Sequence, residues 1–291
     1  MTAHPRLSIN QATIKHASLA DALRTTADAG VGAIGLWREP VAEAGLDTAA
    51  RMLADSGLRM SSLCRGGFFT SKEGPARRAA LDENRRAIEE TAALAAAGAP
   101  GSAAVLVLVA GGLPDGSVDI AGARTRVAEA LAELEPEARA AGVTLAIEPL
   151  HPMYAADRAV VSTLRQALDL AEPFAPSSVG VVVDTFHIWW DPDVLPQIAR
   201  AGAAGRIASY QVCDFLTPIP ADALLARGMM GDGHVDFGSL TAAVQATGYA
   251  GDVEVEIFNA EIWAAEPAEV VARTVEAFER TIAIEPLSTT V

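Results

Sequence analysis

The chain has 291 residues, 51% of them hydrophobic, and carries 22 Lys and Arg against 37 Asp and Glu, a formal net charge of −15. Such a surface repels phosphodiester backbones and anionic membranes, and no local basic patch offsets it, which argues against nucleic acid or lipid as a partner. Two cysteines, Cys64 and Cys213, are too few for a disulfide framework, and the start MTAHPRLSINQ lacks the basic and apolar stretches of a secretory signal. No apolar run nears the ~20 residues of a membrane span, so a reduced, cytoplasmic protein is expected.

Taken in order, short apolar runs alternate with amphipathic, Ala-rich stretches as far as the C-terminus, with no Pro/Ser/Gly linker between them. Leu7–Ile14 predicts the first strand, and Ser18–Ala29, opened by an N-cap serine, the first helix. A second strand over Ala33–Trp37 precedes a helix over Thr48–Asp55 that stops before Gly57. A third, Arg59–Cys64, precedes a long Glu- and Arg-laced helix over Lys72–Ala97 that stops before Gly98. The pairs continue as Ala103–Val109 with Asp119–Ala140, Thr144–Glu148 with Ser162–Ala171, Val179–Asp184 with Asp193–Ala201, Arg206–Gln211 with Ser239–Thr247, and Asp252–Ile257 with Pro267–Ala283. This alternation predicts an α/β fold, a single (β/α)8 TIM-barrel domain over residues 1–291. A doubly wound open sheet is the rival, but the sequence after Ile14 is KHASLAD and has no glycine-rich dinucleotide turn. The runs AGG at Ala110–Gly112 and GDG at Gly231–Gly233 read as ordinary turns rather than phosphate cradles.

A buried strand that ends in a carboxylate is costly unless the charge meets a cation or a metal. Val143–Ile147 runs into Glu148, and the same event recurs at Asp184, Gln211 and Glu256. Strand alternation puts Glu148 on one face with Ala146 and Thr144, Asp184 with Val182 and Gly180, Gln211 with Ser209, and Glu256 with Glu254. Leu145 and Ile147 point the other way, toward the helices. In a closed barrel the first face is the interior, so the four side chains converge at the C-terminal mouth, where barrel active sites lie.

Three carboxylates and a carboxamide are hard oxygen ligands that suit Mg²⁺ or Mn²⁺ better than Zn²⁺, so Glu148, Asp184, Gln211 and Glu256 are expected to bind one divalent metal. The competing reading neutralises the carboxylates with barrel cations; Lys15, Arg38, Arg65 and Arg227 are the nearby candidates, better placed around a pocket than beneath it. A metal that polarises a carbonyl, with Glu148 and Glu256 removing and returning a proton from opposite faces of a sugar, supports isomerase or epimerase chemistry. His187 in DTFH, His151 three residues after Glu148, Arg227 in ARGMMGDGH and Arg65 in CRGG are candidates to hold substrate hydroxyls or a phosphate. Isolated histidines and arginines are otherwise more often structural or surface residues. His234 stands as His151 does, Trp189 and Trp190 fit packing at least as well as a sugar platform, and the cysteines read as core.

The segments LAIEPLHP, VVVDTFHIWW, RIASYQVCD, RGMMGDGHVDF and YAGDVEVEIF resemble the xylose isomerase-like barrels of sugar phosphate isomerases and epimerases, a family that includes ketose 3-epimerases and inosose dehydratases. The resemblance covers essentially the whole chain. It implies one divalent metal, commonly Mn²⁺, held by Glu, Asp, His and Glu at these strand ends, with Glu148 and Glu256 doubling as acid and base. It also implies that His187 corresponds to the histidine after the ligand Asp in the epimerases, and that Arg227 approaches the substrate from the loop after the seventh strand. The chain departs from the pattern at Gln211, where many members have a histidine and an amide oxygen donates more weakly. A nuclease branch needs several more histidine ligands than the 5 histidines present allow, and a basic face. The function so implied is a metal-dependent isomerase or epimerase acting on a ketose or keto-sugar through a metal-stabilised enediolate. A lyase or dehydratase acting on a keto-cyclitol or keto-glycoside with the same metal and base is the alternative, and a barrel that binds without turnover is the reading from another class. Relatives are often dimers or tetramers, which implies a homo-oligomer.

Overall fold

A computed structural model describes residues 3–285. Strand β1 (Leu7–Asn10) stops short of the expected Ile14 because the Asn10 side-chain oxygen accepts the Ala12 N–H at 2.9 Å, capping a 3-10 helix over Gln11–Ile14 that removes those residues from the ladder. The other barrel strands are β2 (Ala33–Trp37), β3 (Arg59–Gly67), β4 (Val105–Val109), β5 (Thr144–Glu148), β6 (Val179–Asp184), β7 (Ile207–Val212) and β8 (Val253–Val255). All pair in parallel and close in the order β1-β8-β7-β6-β5-β4-β3-β2, the barrel that the alternation predicts.

Helices α1 (Leu19–Asp28), α2 (Arg38–Ala44), α3 (Leu46–Ser56), α4 (Pro75–Ala97), α5 (Ile120–Ala140), α6 (Leu164–Ala171), α7 (Thr185–Ile188), α8 (Val194–Ala203), α9 (Phe237–Ala246), α10 (Ala260–Trp263) and α11 (Pro267–Thr281) follow the strands. Three of them, α2, α7 and α10, are too short to show a helical period in the sequence, and each sits on a mouth-side loop. Among the described residues no helix is long and apolar enough to cross a membrane.

Strand alternation separates two apolar regions. Leu145, Ile147, Val181 and Val183 join the large layer between strands and helices, whereas Ala146 and Val182 join Cys64, Val105 and Val107 in a small plug inside the barrel. At the N-terminal end Arg59 pairs with Asp252 (2.6 Å), and the Arg6 guanidinium donates to the Gly251 and Tyr249 carbonyls. That end is closed by structural charge, so access to the barrel interior lies at the other end.

The loop after β7 is the most elaborate at the mouth. Asp214–Phe215 pairs antiparallel with Arg227–Gly228 in a two-stranded ribbon. The buried Asp214 carboxylate accepts the N–H groups of Gly231 (2.9 Å), Gly233 (2.8 Å) and Val235 (3.0 Å). The GDG run therefore cradles an anion after all, but the anion is the chain's own carboxylate, and the clasp fastens the loop that carries Arg227. Removing the buried charged acceptor of three main-chain amides costs about 3 kcal/mol. Asp214→Ala is expected to lose that much unfolding free energy in urea while keeping its far-UV circular dichroism, and a loss under about 0.5 kcal/mol would show that the clasp holds nothing.

Candidate active site

A cavity of about 340 Å³ opens at the C-terminal ends of the strands, lined by Glu148, His187, Arg227 and Glu256 with Trp37, Cys64, Arg65, Phe68, Arg158 and Phe258 among its walls. Each polar group is delivered by a strand end. Glu148 closes β5. Asp184 closes β6 and also caps α7, its Oδ1 accepting the Phe186 N–H at 2.8 Å. That single helical turn brings His187 back over Asp184, Nε2 standing 3.8 Å from Oδ2. Gln211 lies in register with Asp184 on one side and Glu254 on the other, and Glu256 follows β8 by one residue. Glu148, Asp184, His187, Gln211, Arg227 and Glu256 are each at most 5% exposed.

Arg227 stands among the carboxylates rather than around them, which corrects the expectation that the nearby cations only rim the pocket. Its Nη1 is 2.9 Å from Glu256 Oε2, 3.3 Å from Asp184 Oδ2 and 3.2 Å from the Glu256 carbonyl oxygen, and the guanidinium packs over the rings of Phe186 and Phe258. The physical reason is the ribbon that pairs Arg227 with Phe215 over the mouth, together with the Asn259 side chain that donates to the Arg227 carbonyl. The other candidates stay outside this cluster: Arg38 pairs with Glu83 and Glu90, and Lys15 lies over Trp263.

One guanidinium cannot balance three carboxylates, and two net negative charges remain if all ionise. Burial accordingly pushes the Glu148 carboxyl well up, with the charges of Asp184 and Glu256 adding to it. Burial pushes Glu256 up to about 7 against the pull of Arg227, and raises Asp184 against the same pull. Glu148 Oε1 and Gln211 Oε1 are buried with no hydrogen-bond partner. Ligand-type atoms of Glu148, Asp184 and His187 all lie within 4.8 Å of one another. Surplus negative charge, hard donors and unpartnered oxygens together fit a divalent cation.

His187 is held neutral, burial and the Arg227 charge lowering its pKa well below the ordinary value. Its Nδ1 faces the His151 N–H at 3.1 Å and its Nε2 faces Arg227 Nη2 at 3.1 Å. A neutral ring has one acceptor nitrogen, so it satisfies one of these two donors at a time and the tautomer decides which. Beneath the site, Glu254 is fully buried and accepts from Asn10 Nδ2 (2.6 Å), Ser61 Oγ (2.5 Å), Ser62 Oγ (2.8 Å) and Gln211 Nε2 (3.1 Å). Position 35 must be glycine, because a Cβ there would stand 2.6 Å from this carboxylate. The Gln211 amide is thereby oriented, its nitrogen engaged and its oxygen left free.

The structure distributes the remaining sequence candidates as follows. Arg65 reaches the cavity rim, its Cζ 5.4 Å over the Trp37 ring and 5.1 Å over Phe68. Gly67 (φ 112°) makes that loop possible, since a Cβ would fall 1.8 Å from the Val109 carbonyl oxygen. His151 does not line the cavity; its Nδ1 caps the short helix Pro152–Tyr154 and its ring stacks on Phe215, so its contact with the site is through the backbone amide. Trp189 packs on Phe215 and Trp190 donates to the His187 carbonyl, while His234 meets Thr217. Sequence reasoning missed Trp37 and Phe258 as wall residues, although both follow the inward parity of Gly35 and Glu256. Phe68, Arg158 and Leu224 arrive on loops, where no period marks them.

A family model described as xylose isomerase-like TIM barrel matches residues 23–281. The L-ribulose 3-epimerase of Mesorhizobium japonicum is 31% identical over 139 residues, which is 47% of this chain and 42% of that protein, so the match spans less than half of either. Protein SMc04130 of Sinorhizobium meliloti 1021 has a crystal structure that superposes with a TM-score of 0.90 at 48% identity, covering 95% of this chain and 98% of that one. The IOLI protein, whose crystal structure has a bound zinc atom, shares the fold with a TM-score of 0.79 at 21% identity over 96% of this chain and 100% of that one.

In the metal-free protein a glutamate carboxyl resonance that vanishes in Glu256→Gln is expected to titrate near pH 7, protonated below and ionised above. Carbon-detected NMR on carboxyl-labelled protein reads this directly. A midpoint near the ordinary value of about 4.3 would mean that Glu256 is solvated.

Proposed function

From a chain that belongs to the family of xylose isomerase-like TIM barrels, we propose a metal-dependent sugar isomerase or epimerase that moves a proton at the carbon beside the carbonyl of a ketose or keto-sugar. The observation that carries this reading is that two buried carboxyls, Glu148 and Glu256, line one cavity from non-adjacent strands. Burial raises the affinity of both for protons. The identity with L-ribulose 3-epimerase supports it, and two buried, unbridged cysteines support a reducing, cytoplasmic setting.

We assign the cation to Glu148, Asp184, Glu256 and the free oxygen of Gln211. His187 is left outside this set because both its ring nitrogens already face donors, the His151 amide and Arg227. An all-oxygen set favours Mn²⁺ or Mg²⁺ over the zinc held by the IOLI protein. Bound there, the cation supplies Lewis-acid polarisation of a carbonyl and its neighbouring hydroxyl, acidifying the C–H bond beside them.

The protein groups do the rest. Carboxyls whose proton affinity burial raises can both take and give a proton, so one glutamate abstracts and the other returns it from the opposite face. Arg227 Nη2 and the His187 ring beside it hold the substrate oxygen that gains negative charge in the enediolate. Burial of the whole set excludes water, which strengthens those contacts.

In D₂O with Mn²⁺, deuterium uptake next to the carbonyl is expected for at least one member of a panel of ketoses, keto-sugars and inososes, and is expected to vanish on chelation. Glu148→Gln and Glu256→Gln should each slow exchange by about 10²-fold or more. NMR reads both, and an unchanged rate in either variant removes that residue from proton transfer. Loss of a β-hydroxyl in the product would identify a lyase instead. Because protons compete with the cation for Glu148 and Glu256, Mn²⁺ affinity measured by calorimetry should rise as pH increases from about 6 to about 8, and a flat profile would contradict the ligand assignment.

A further inference from the structure

We propose that the outer part of the cavity is a binding site for an anionic group, a phosphate or a carboxylate, carried on the end of the ligand remote from the reacting carbonyl. The proposal deepens the isomerase reading and relies on it only in treating that ligand as a substrate. A second chamber of about 790 Å³ continues outward from the 340 Å³ one, sharing Trp37, Arg65, Arg158, Leu224 and Phe258 with it. The inner chamber alone falls at the small end of ligand sites, which run from about 300 to 1,000 Å³ and suffice for a monosaccharide. The outer one therefore has room for a substituent beyond the sugar ring.

Its lining has a charge opposite to that of the molecule. In a chain of net charge −15, Lys15, His16, Arg65 and Arg158 face Glu39 and Glu43 across this chamber. Among the described residues Arg65 and Lys15 make no ion pair. Each is held against aromatic rings instead, Arg65 over Trp37 and Phe68 and Lys15 with its Nζ 4.6 Å from the Trp263 centroid. Arg158 comes no nearer than 3.6 Å to Asp157 and 3.7 Å to Asp222, and its Nε is buried without a partner. Closely matched arginines elsewhere include Arg38 with Glu90 (2.5 Å) and Arg59 with Asp252 (2.6 Å). The Arg65 guanidinium and Lys15 ammonium, without an ion pair at the wall of one chamber, and Arg158, paired only loosely with Asp157 and Asp222, are suited to an oxyanion, whose oxygens would accept from Arg65 and Arg158 while Lys15 adds a point charge.

The test is calorimetry on the Mn²⁺-loaded protein with D-fructose, D-fructose 6-phosphate, 5-keto-D-gluconate and inorganic phosphate, repeated with the double variant Lys15→Ala, Arg65→Ala and with Arg65→Met, which keeps the apolar stem. Inorganic phosphate or an anionic sugar is expected to bind, the anionic sugars at least about tenfold tighter than fructose at low salt. The advantage should fall in both variants and with added salt. Preference between the phosphate and the carboxylate compound identifies the group. Equal or tighter binding of fructose, an anion preference that survives both variants, or no binding of phosphate and either anionic sugar would overturn the site. Deuterium exchange on the same compounds reports the isomerase reading separately: anion-dependent binding without exchange leaves the site standing and counts against turnover, and exchange without anion preference does the reverse.

Discussion

The mouth of this barrel depends on a buried electrostatic imbalance. Asp184, Glu256 and Glu148 are withdrawn from water within one small space, and Arg227 supplies the single positive charge among them. Solvation of an isolated buried carboxylate is too costly to forgo, so such a cluster persists only when protons, a guanidinium or a metal take its place. Arg227 alone leaves the cluster undercompensated, and the rise in proton affinity of its carboxyls follows directly. The same imbalance that makes the site expensive to fold suits it to a cation and raises the proton affinity of its carboxyls.

That arrangement rests on polar supports below and beside it. Glu254 lies inside the barrel where a packed apolar layer is the usual filling, satisfied by Asn10, Ser61, Ser62 and Gln211. Asp214 fastens the loop that carries Arg227, and the Asp184 cap starts the turn that carries His187. Each support is a carboxylate receiving donors, so the site is organised by a hierarchy of acidic side chains in which the inner members are satisfied and the outer ones are not.

Much of this was legible in the sequence. Runs from Val143 to Glu148 and from Val179 to Asp184 carry both a strand and its terminal carboxylate, and alternation puts those carboxylates in the interior because the period of a strand is fixed at two. The first strand was drawn too long because Ile14 continues the apolar run, while the Asn10 cap that ends the strand is a matter of side-chain geometry. The position of Arg227 was illegible for a related reason: it is set by the ribbon pairing with Phe215, through backbone groups that any residue possesses. His151 misled in the opposite direction, since its place three residues after Glu148 concealed that only its amide touches the site.

The Asp214 clasp also divides the mouth mechanically. Arg227 and the β7 loop are tied by main-chain amides to Asp214, whereas Trp37 and Arg65 stand at the ends of β2 and β3 and Lys15 and Phe68 on the turns after β1 and β3, with ring contacts among them. The two walls of the mouth are therefore held by different means, one by a carboxylate clasp and the other by strand ends and stacked rings. Substitutions on the second wall can reshape the entrance without touching Glu148, Asp184 or Glu256, so the shape of the opening and the buried carboxylate cluster can change separately.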